Sequence, residues 1–219
     1  MIVAIITVRD KSTRLDNKWF ADINGKPMLQ YIIDVVKPIV NKVIVATSMN
    51  SPKILDYCTK SSICAYGVEN EDDVLLRIRT VIETYKLGEG ELKNQFALAP
   101  LGNTILRLWG DNPFLNLNLI KYGLKCKDRE SFDYVFTESV PKGWNFAMFD
   151  ARKFLQLCDE MSSIEKYHWN HVEENSCWVS HGFNVKPISM GIPSDLYTVD
   201  TSKDLEKASL RRLFVKCRK

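Results

Sequence analysis

Apolar and polar positions fall in blocks along this chain, short β-branched runs alternating with stretches of helical spacing. Ile2-Val3-Ala4-Ile5-Ile6-Thr7-Val8 predicts a buried strand. Pro27 then opens a stretch whose apolar residues Met28, Leu29, Ile32, Ile33 and Val36 share a helical face. Proline suits a first helical turn because its missing N–H is not needed there. Val43-Ile44-Val45-Ala46 predicts a second buried strand, and Ser51-Pro52 starts a helix with Ile54, Leu55 and Cys58 on one side. Ser62 to Tyr66 reads as a weaker third strand. Glu71-Asp72-Asp73 precedes a helix over about 74–85, where acids favour the N-terminal dipole. Gly88, Gly90, Pro100 and Gly102 punctuate residues 87–103, and periodicity is lost there, so a long surface excursion or lid is expected. Thr104 to Leu108 is the next strand and runs into Gly110-Asp111; Asn116 to Cys126 is helical and Tyr134 to Phe136 is a strand. Residues 141–185 mix aromatics, glycine and polar groups around a helix near 151–161 and read as a smaller lobe. Tyr197-Thr198-Val199 predicts a last short strand, and Ser202 caps a closing helix that reaches Leu213, with Asp204 and Glu206 in its first turns.

Strands alternating with helices imply a three-layer, Rossmann-like α/β domain with a mostly parallel sheet and a small appended lobe, all within 1–219. In such sheets ligands bind outside the carboxyl ends of the strands. Val8/Arg9, Ala46/Thr47, Trp109/Asp111 and Val199/Asp200 are all expected at such ends, which would gather these distant segments at one edge.

Composition narrows the class without naming it. Hydrophobic residues make up 45% and charged residues 26% of the 219, ordinary for a globular chain with a sizeable core. A net charge of only +3 does not point to nucleic acid. The cysteines at 58, 64, 126, 158, 177 and 217 form no C-x-x-C pair and read as reduced thiols of a cytoplasmic protein. The apolar start lacks a basic leader and meets Arg9 quickly, unlike a signal peptide, and no run approaches a membrane span.

The chemistry sits on the expected strand ends. Arg9, Lys11, Arg14 and Lys18 place four cations on one loop directly after the first strand, and Ser12 and Thr13 add hydroxyls and amides. Arginine pairs with phosphate bidentately and lysine acts as a mobile point charge, so the loop suits a triphosphate. It lacks the G-x-x-x-x-G-K-[ST] spacing of a Walker A loop, and a solvated basic loop is the bland alternative. Asp111, after Gly110, is the best single magnesium candidate, with Asp200 the second; magnesium commonly takes one or two protein carboxylates beside phosphate oxygens. Strand-end turn chemistry for Asp111 and helix entry for Asp200 are the competing explanations. For Glu71-Asp72-Asp73 the helix-terminus explanation is preferred to metal binding, and His168, His171 and Cys177 lack a fourth ligand at zinc spacing. No D-x-D pair of the kind common in nucleotide-sugar glycosyltransferases is present.

Taken together these segments resemble the cytidylyltransferases that make CMP-activated sugar acids, the Kdo and acylneuraminate enzymes, and within them the branch associated with spore-coat polysaccharide. The family's A-R-x-x-S-x-R-L-P-x-K followed by G-K-P is matched by Val8-Arg9-Asp10-Lys11-Ser12-Thr13-Arg14-Leu15-Asp16-Asn17-Lys18 and Gly25-Lys26-Pro27. Its E-D-D-V-L-x-R is matched by Glu71 to Arg77, its R-x-x-G-D-x-P by Arg107 to Pro113, and its T-V-D-T by Thr198 to Thr201. The resemblance runs from residue 2 to about 210 and implies a nucleotidyltransferase fold, CTP and an anionic sugar-acid acceptor as substrates, Mg2+ as cofactor, a homodimer, and a role in surface polysaccharide synthesis. It implies that Arg9, Arg14, Lys18 and Asp111 are catalytic. Val8, Arg9, Ser12, Thr13, Arg14, Lys18, Ala46, Thr47, Ser48, Asp73, Arg77 and Gly110 would line the nucleotide, and Asp111 and Asp200 would hold the metal. Asn145 and His171 would meet the acceptor, within a lobe at 141–185 that serves acceptor binding or dimerisation. Departures gather on the acceptor side: the family's G-x-D-x-E reads Gly143-Trp144-Asn145-Phe146-Ala147, and its E-H-V reads Asn170-His171-Val172. Lys11 stands where the family often has glycine, and 87–103 is an insertion. Losing both acids implies a different or more anionic acceptor, and a nucleotidyltransferase for another base or for a sugar phosphate or phosphonate, or a non-catalytic relative, are the alternative readings.

Overall fold

The computed structural model describes the chain except residues 11–14, 16, 71, 90–102, 142, 172–173, 191–198 and 217–219. Its strands are β1 (Ile2–Thr7), β2 (Lys42–Ser48), β3 (Cys64–Val68), β4 (Thr104–Trp109), β5 (Tyr134–Thr137), β6 (Ala147–Asp150) and β7 (Val185–Ile188). They form one sheet in the order β3-β2-β1-β4-β6-β5-β7. The β1–β2, β1–β4, β2–β3 and β5–β7 pairs are parallel, whereas β6 runs antiparallel to both β4 and β5. Among the described strands only β6 is therefore reversed, and the other six point their carboxyl ends to the same edge.

The helices are α1 (Met28–Val36), α2 (Pro52–Lys60), α3 (Val74–Thr84), α4 (Leu117–Arg129), α5 (Ala151–Glu160), α6 (Ser163–His171), α7 (Glu174–Ser180) and α8 (Ser202–Lys216). Side chains alternate across a strand, so β1 feeds two cores. Val3 and Ile5 pack with Ile78, Val81 and Ile82 of α3, Phe154 of α5 and Trp178 of α7. Ala4 and Ile6 pack with Ile32 and Ile33 of α1, Ile54 of α2 and Ile120 of α4. This gives the helix–sheet–helix layering that the alternation predicts. Among the described residues no helix is long and apolar enough to cross a membrane.

The structure departs from the sequence expectations in three places. The 141–185 stretch sends β6 into the central sheet, leads directly into β7, and packs Phe154, Trp169 and Trp178 of its helices onto the α3 face. The expected strand at 197–199 falls partly outside the described residues, and Val199 is not in a strand; it reaches the sheet edge through its N–H, which donates to the Asp111 carbonyl at 3.1 Å. The cap of α8 is Thr201 rather than Ser202. Asp204 Oδ2 accepts from the Thr201 N–H at 3.0 Å and hydroxyl at 2.8 Å, and the Asp204 N–H returns a bond to Thr201 Oγ1 at 3.3 Å, a capping box that leaves Ser202 as the first helical residue. The 87–103 excursion lies almost wholly outside the described residues.

Candidate active site

Three backbone contacts knit the expected strand ends together. The Val8 N–H donates to the Ala46 carbonyl at 3.1 Å, the Gly110 N–H to the Thr7 carbonyl at 3.0 Å, and the Val199 N–H to the Asp111 carbonyl at 3.1 Å. The Asp10 N–H also donates to Ser51 Oγ, at 3.2 Å, which pins the start of the basic loop beside α2. Glycine is required at 110 by space. A Cβ there would stand 2.1 Å from Val8 Cγ1 and 3.0 Å from the Thr7 carbonyl. Val8 is β-branched and cannot rotate away cheaply. Gly110→Ala is thus expected to lower stability by about 1–3 kcal/mol in urea unfolding, as overpacking does. Val8→Ala in the same chain should restore part of the loss, since it removes the nearer obstacle; a Gly110→Ala protein with unchanged unfolding would refute this packing account.

At this edge Lys18 meets both candidate metal ligands. It lies on a short 3-10 turn, Lys18–Phe20, entered through Asn17 in the left-handed region at φ 46°, which asparagine tolerates. Trp19 anchors the turn: it is 2% exposed and packs edge-on against Tyr57, ring centroids 6.5 Å apart. From that base the Lys18 ammonium reaches Asp111 Oδ2 at 3.2 Å and Asp200 Oδ1 at 2.5 Å. The Lys18 and Asp200 side chains are only 14% and 11% exposed, and that of Asp111 33%. Asp200 is steadied from behind, because its N–H donates to Asp204 Oδ2 at 3.3 Å. Two carboxylates from segments 89 residues apart thus converge on one cation, and an ammonium is standing where a divalent ion would be held. Magnesium commonly takes one or two protein carboxylates and completes its shell with phosphate oxygens and water, so a pair of carboxylates is a donor set that fits that ion.

Other expected ligands hold different positions. Ser12, Thr13 and Arg14 lie outside the described residues. Arg9 is exposed and pairs with Asp72 at 2.6 Å, a surface contact worth little to stability. Ala46, Thr47 and Ser48 are fully buried, and Ser48 Oγ accepts from the Asn50 N–H. Asp73 is the N-cap of α3, accepting from the Leu76 N–H at 2.8 Å, which is the helix-terminus role preferred from sequence. Arg77 is 2% exposed and donates from Nη1 to the Val8 carbonyl at 3.1 Å, so in this structure it braces the root of the basic loop. Asn145 is half-buried and accepts from the Gly143 N–H at 3.2 Å. His171 closes α6, with its side chain outside the described set.

Residues that sequence reasoning left without a role tie the 163–180 helices to this edge. Asn170 of α6 accepts from the Leu75 N–H at 2.8 Å and donates to Asp73 Oδ1 at 3.0 Å, so α3 is capped jointly by its own Asp73 and by a residue of α6. Arg107 of β4, 4% exposed, pairs with Glu174 of α7 and lies over the rings of Trp109 and Trp169, 4.4 and 4.7 Å from its guanidinium carbon to the ring centroids. Burial pushes the Arg107 guanidinium down to about 10, an effect that nearby Tyr134 opposes and Arg77 reinforces. The signal for this cluster was an arginine inside the apolar run Ile105-Leu106-Arg107-Leu108-Trp109, which demands a buried acid somewhere.

Comparison with known proteins follows the same outline. A family profile described as cytidylyltransferase matches residues 3–172. A 3-deoxy-manno-octulosonate cytidylyltransferase of Parabacteroides distasonis is 31% identical over 128 residues, 57% of this chain and 44% of its own length. The spore coat polysaccharide biosynthesis protein SpsF of Bacillus subtilis is 24% identical over 227 residues, 98% of this chain and 87% of its own. Across the 3-deoxy-manno-octulosonate cytidylyltransferase relatives the chain matches between 36% and 50% of their length. Among solved structures, a CMP:2-keto-3-deoxy-manno-octonic acid synthetase complexed with CTP superposes with a TM-score of 0.71 at 17% identity, covering 98% of both chains. At that identity the likeness is one of fold, and it is the nucleotidyltransferase fold expected above.

Proposed function

We propose, from the premise that the chain belongs to the cytidylyltransferase family, that it transfers CMP from CTP to a sugar acid or related anionic acceptor and releases pyrophosphate. The observation that carries this reading is the convergence of Lys18, Asp111 and Asp200 at the edge where the basic loop leaves β1. An acceptor hydroxyl forms the new oxygen–phosphorus bond at the α-phosphorus, the bond from that phosphorus to the β-phosphate oxygen breaks, and the hydroxyl proton passes to solvent. Such transfers need positioning and charge neutralisation more than covalent help. Asp111 and Asp200 are the residues that would hold Mg2+, which when bound offsets phosphate charge. Arg9, Arg14 and Lys18 would receive the triphosphate. Arg77, through the Val8 carbonyl, and Asn170, through the cap of α3, keep the root of that loop in place. On the acceptor side, amide and methyl groups at Asn145 and Ala147 replace two family acids, which suits an acceptor carrying its own negative charge. The named function of the Bacillus subtilis relative supports a place in surface polysaccharide synthesis.

Thermal unfolding of the protein with magnesium and CTP, UTP, GTP or ATP separately tests the nucleotide half. A ligand present at about 100 times its Kd stabilises the folded state by roughly 2.7 kcal/mol. Stabilisation by CTP over the other three is expected, followed by pyrophosphate release when anionic sugars are added. Stabilisation by a different nucleotide would move the base assignment, and none by any would overturn the proposal.

A further inference from the structure

The Lys18 side chain does something in this structure that a phosphate-binding lysine does not have to do. Its ammonium lies on the same two carboxylates that the reading above gives to the divalent metal, at 3.2 Å from Asp111 Oδ2 and 2.5 Å from Asp200 Oδ1. Lys18 and Asp200 are nearly buried while Asp111 is partly exposed, so Asp200 above all needs a neutralising charge, and the ammonium draws Asp111 in beside it. An ammonium and a metal ion cannot occupy one position between the same oxygens.

We infer that Lys18 is the resident counter-ion of the metal site: it holds Asp111 and Asp200 together in the nucleotide-free protein and must exchange places with the divalent cation. This rests on the assignment of those acids to the metal. Two consequences follow from charge alone. In the nucleotide-free protein the metal enters by displacing a lysine, so its affinity is low. A triphosphate supplies anionic oxygens for the displaced ammonium, so nucleotide raises metal affinity, and by linkage metal raises nucleotide affinity to the same extent. Lys18 would thereby make the site take up metal and triphosphate together and leave the metal alone otherwise. The geometry suits such a transfer. Lysine is a compact charge on a flexible stem with rotatable donors. Its backbone, by contrast, is fixed by buried Trp19 beside it.

Manganese binding to the nucleotide-free protein, followed by electron paramagnetic resonance or calorimetry, tests the exchange without any turnover. Lys18→Met keeps the apolar stem and removes the charge. The variant is expected to bind Mn2+ more tightly than the wild type by a factor of roughly 5–150, the span of an ordinary coupling between sites. The increase in Mn2+ affinity on adding CTP should be smaller in the variant than in the wild type. Lys18→Gln, which retains a hydrogen-bond donor, gives the same comparison should the methionine variant fold poorly. Adding Asp111→Asn to either variant should abolish the gain, which places the ion on these oxygens. Unchanged or weaker Mn2+ binding in folded Lys18 variants, with CTP-stimulated binding intact in the wild type, overturns the exchange alone. No Mn2+ binding by any of the proteins, with or without CTP, overturns the metal assignment as well.

Discussion

Glu174→Ala should destabilise this protein by about 3–5 kcal/mol, the cost of leaving a buried ion without its partner. Arg107 is 4% exposed in the middle of β4, and the Glu174 side chain is only 13% exposed. The Trp109 and Trp169 rings lie 4.4 and 4.7 Å from the guanidinium carbon, so apolar surface rather than water surrounds the arginine when the carboxylate is lost. The single proton of the Tyr134 hydroxyl has a second acceptor in Asn175 Oδ1 at 2.7 Å beside Glu174 at 3.0 Å, so the tyrosine stays satisfied and most of the loss comes from the arginine. Two further variants separate charge from packing. Glu174→Gln keeps an acceptor and removes the charge, and should fall between wild type and alanine. Arg107→Met with Glu174→Leu removes both ions and should recover most of the stability, since apolar replacements of a buried pair are often neutral or better. Urea unfolding of the four proteins is the measurement. If Glu174→Ala stayed within about 1 kcal/mol of wild type, a range usual for exposed ion pairs, the cluster would be solvated in solution.

That cluster also marks where sequence reading stopped. The first half of the sheet was legible because each of β1, α1, β2 and α2 has its own local signal: a β-branched run or an apolar face introduced by Pro27 or Pro52. Parallel order sets Lys18 and Asp111 beyond strand carboxyl ends at one edge, whereas Asp200 reaches that edge through the Val199 bond to Asp111 and not from the end of a strand. β6 was not legible. Ala147-Met148-Phe149-Asp150 is four residues long and buried on both faces between β4 and β5, so it shows no alternation, and nothing local announces that it runs backwards. α6 was missed for the opposite reason: Ile164 and Tyr167 are exposed while Trp169 is buried, so its apolar residues do not trace one face. Partnerships were harder than elements. That Asn170 caps α3, or that Lys18 reaches acids 93 and 182 positions away, is set by how whole layers pack, and a single chain of letters does not carry that information.

Asp111→Asn is the substitution with the largest expected effect on activity. The amide has the carboxylate's size but no charge, so it can neither neutralise Lys18 nor serve magnesium as an anionic ligand. Stability should change little, because the Asp111 side chain is 33% exposed and Lys18 keeps Asp200 at 2.5 Å. Turnover should fall by at least the roughly 10²–10³ lost when one preorganised electrostatic contact to a reacting centre is removed. Pyrophosphate release with CTP and the acceptor found by screening gives the rate, and calorimetry with CTP at varied magnesium gives the cause. The magnesium dependence of CTP binding should shrink in the variant, while the magnesium-independent part, supplied by the cations of the basic loop, persists. A variant that keeps near-normal turnover and an unchanged magnesium dependence would remove Asp111 from the metal site. The Lys18–Asp111 contact would then be structural, and Asp200, the more buried of the two acids and the nearer to the ammonium, would become the principal candidate for the metal.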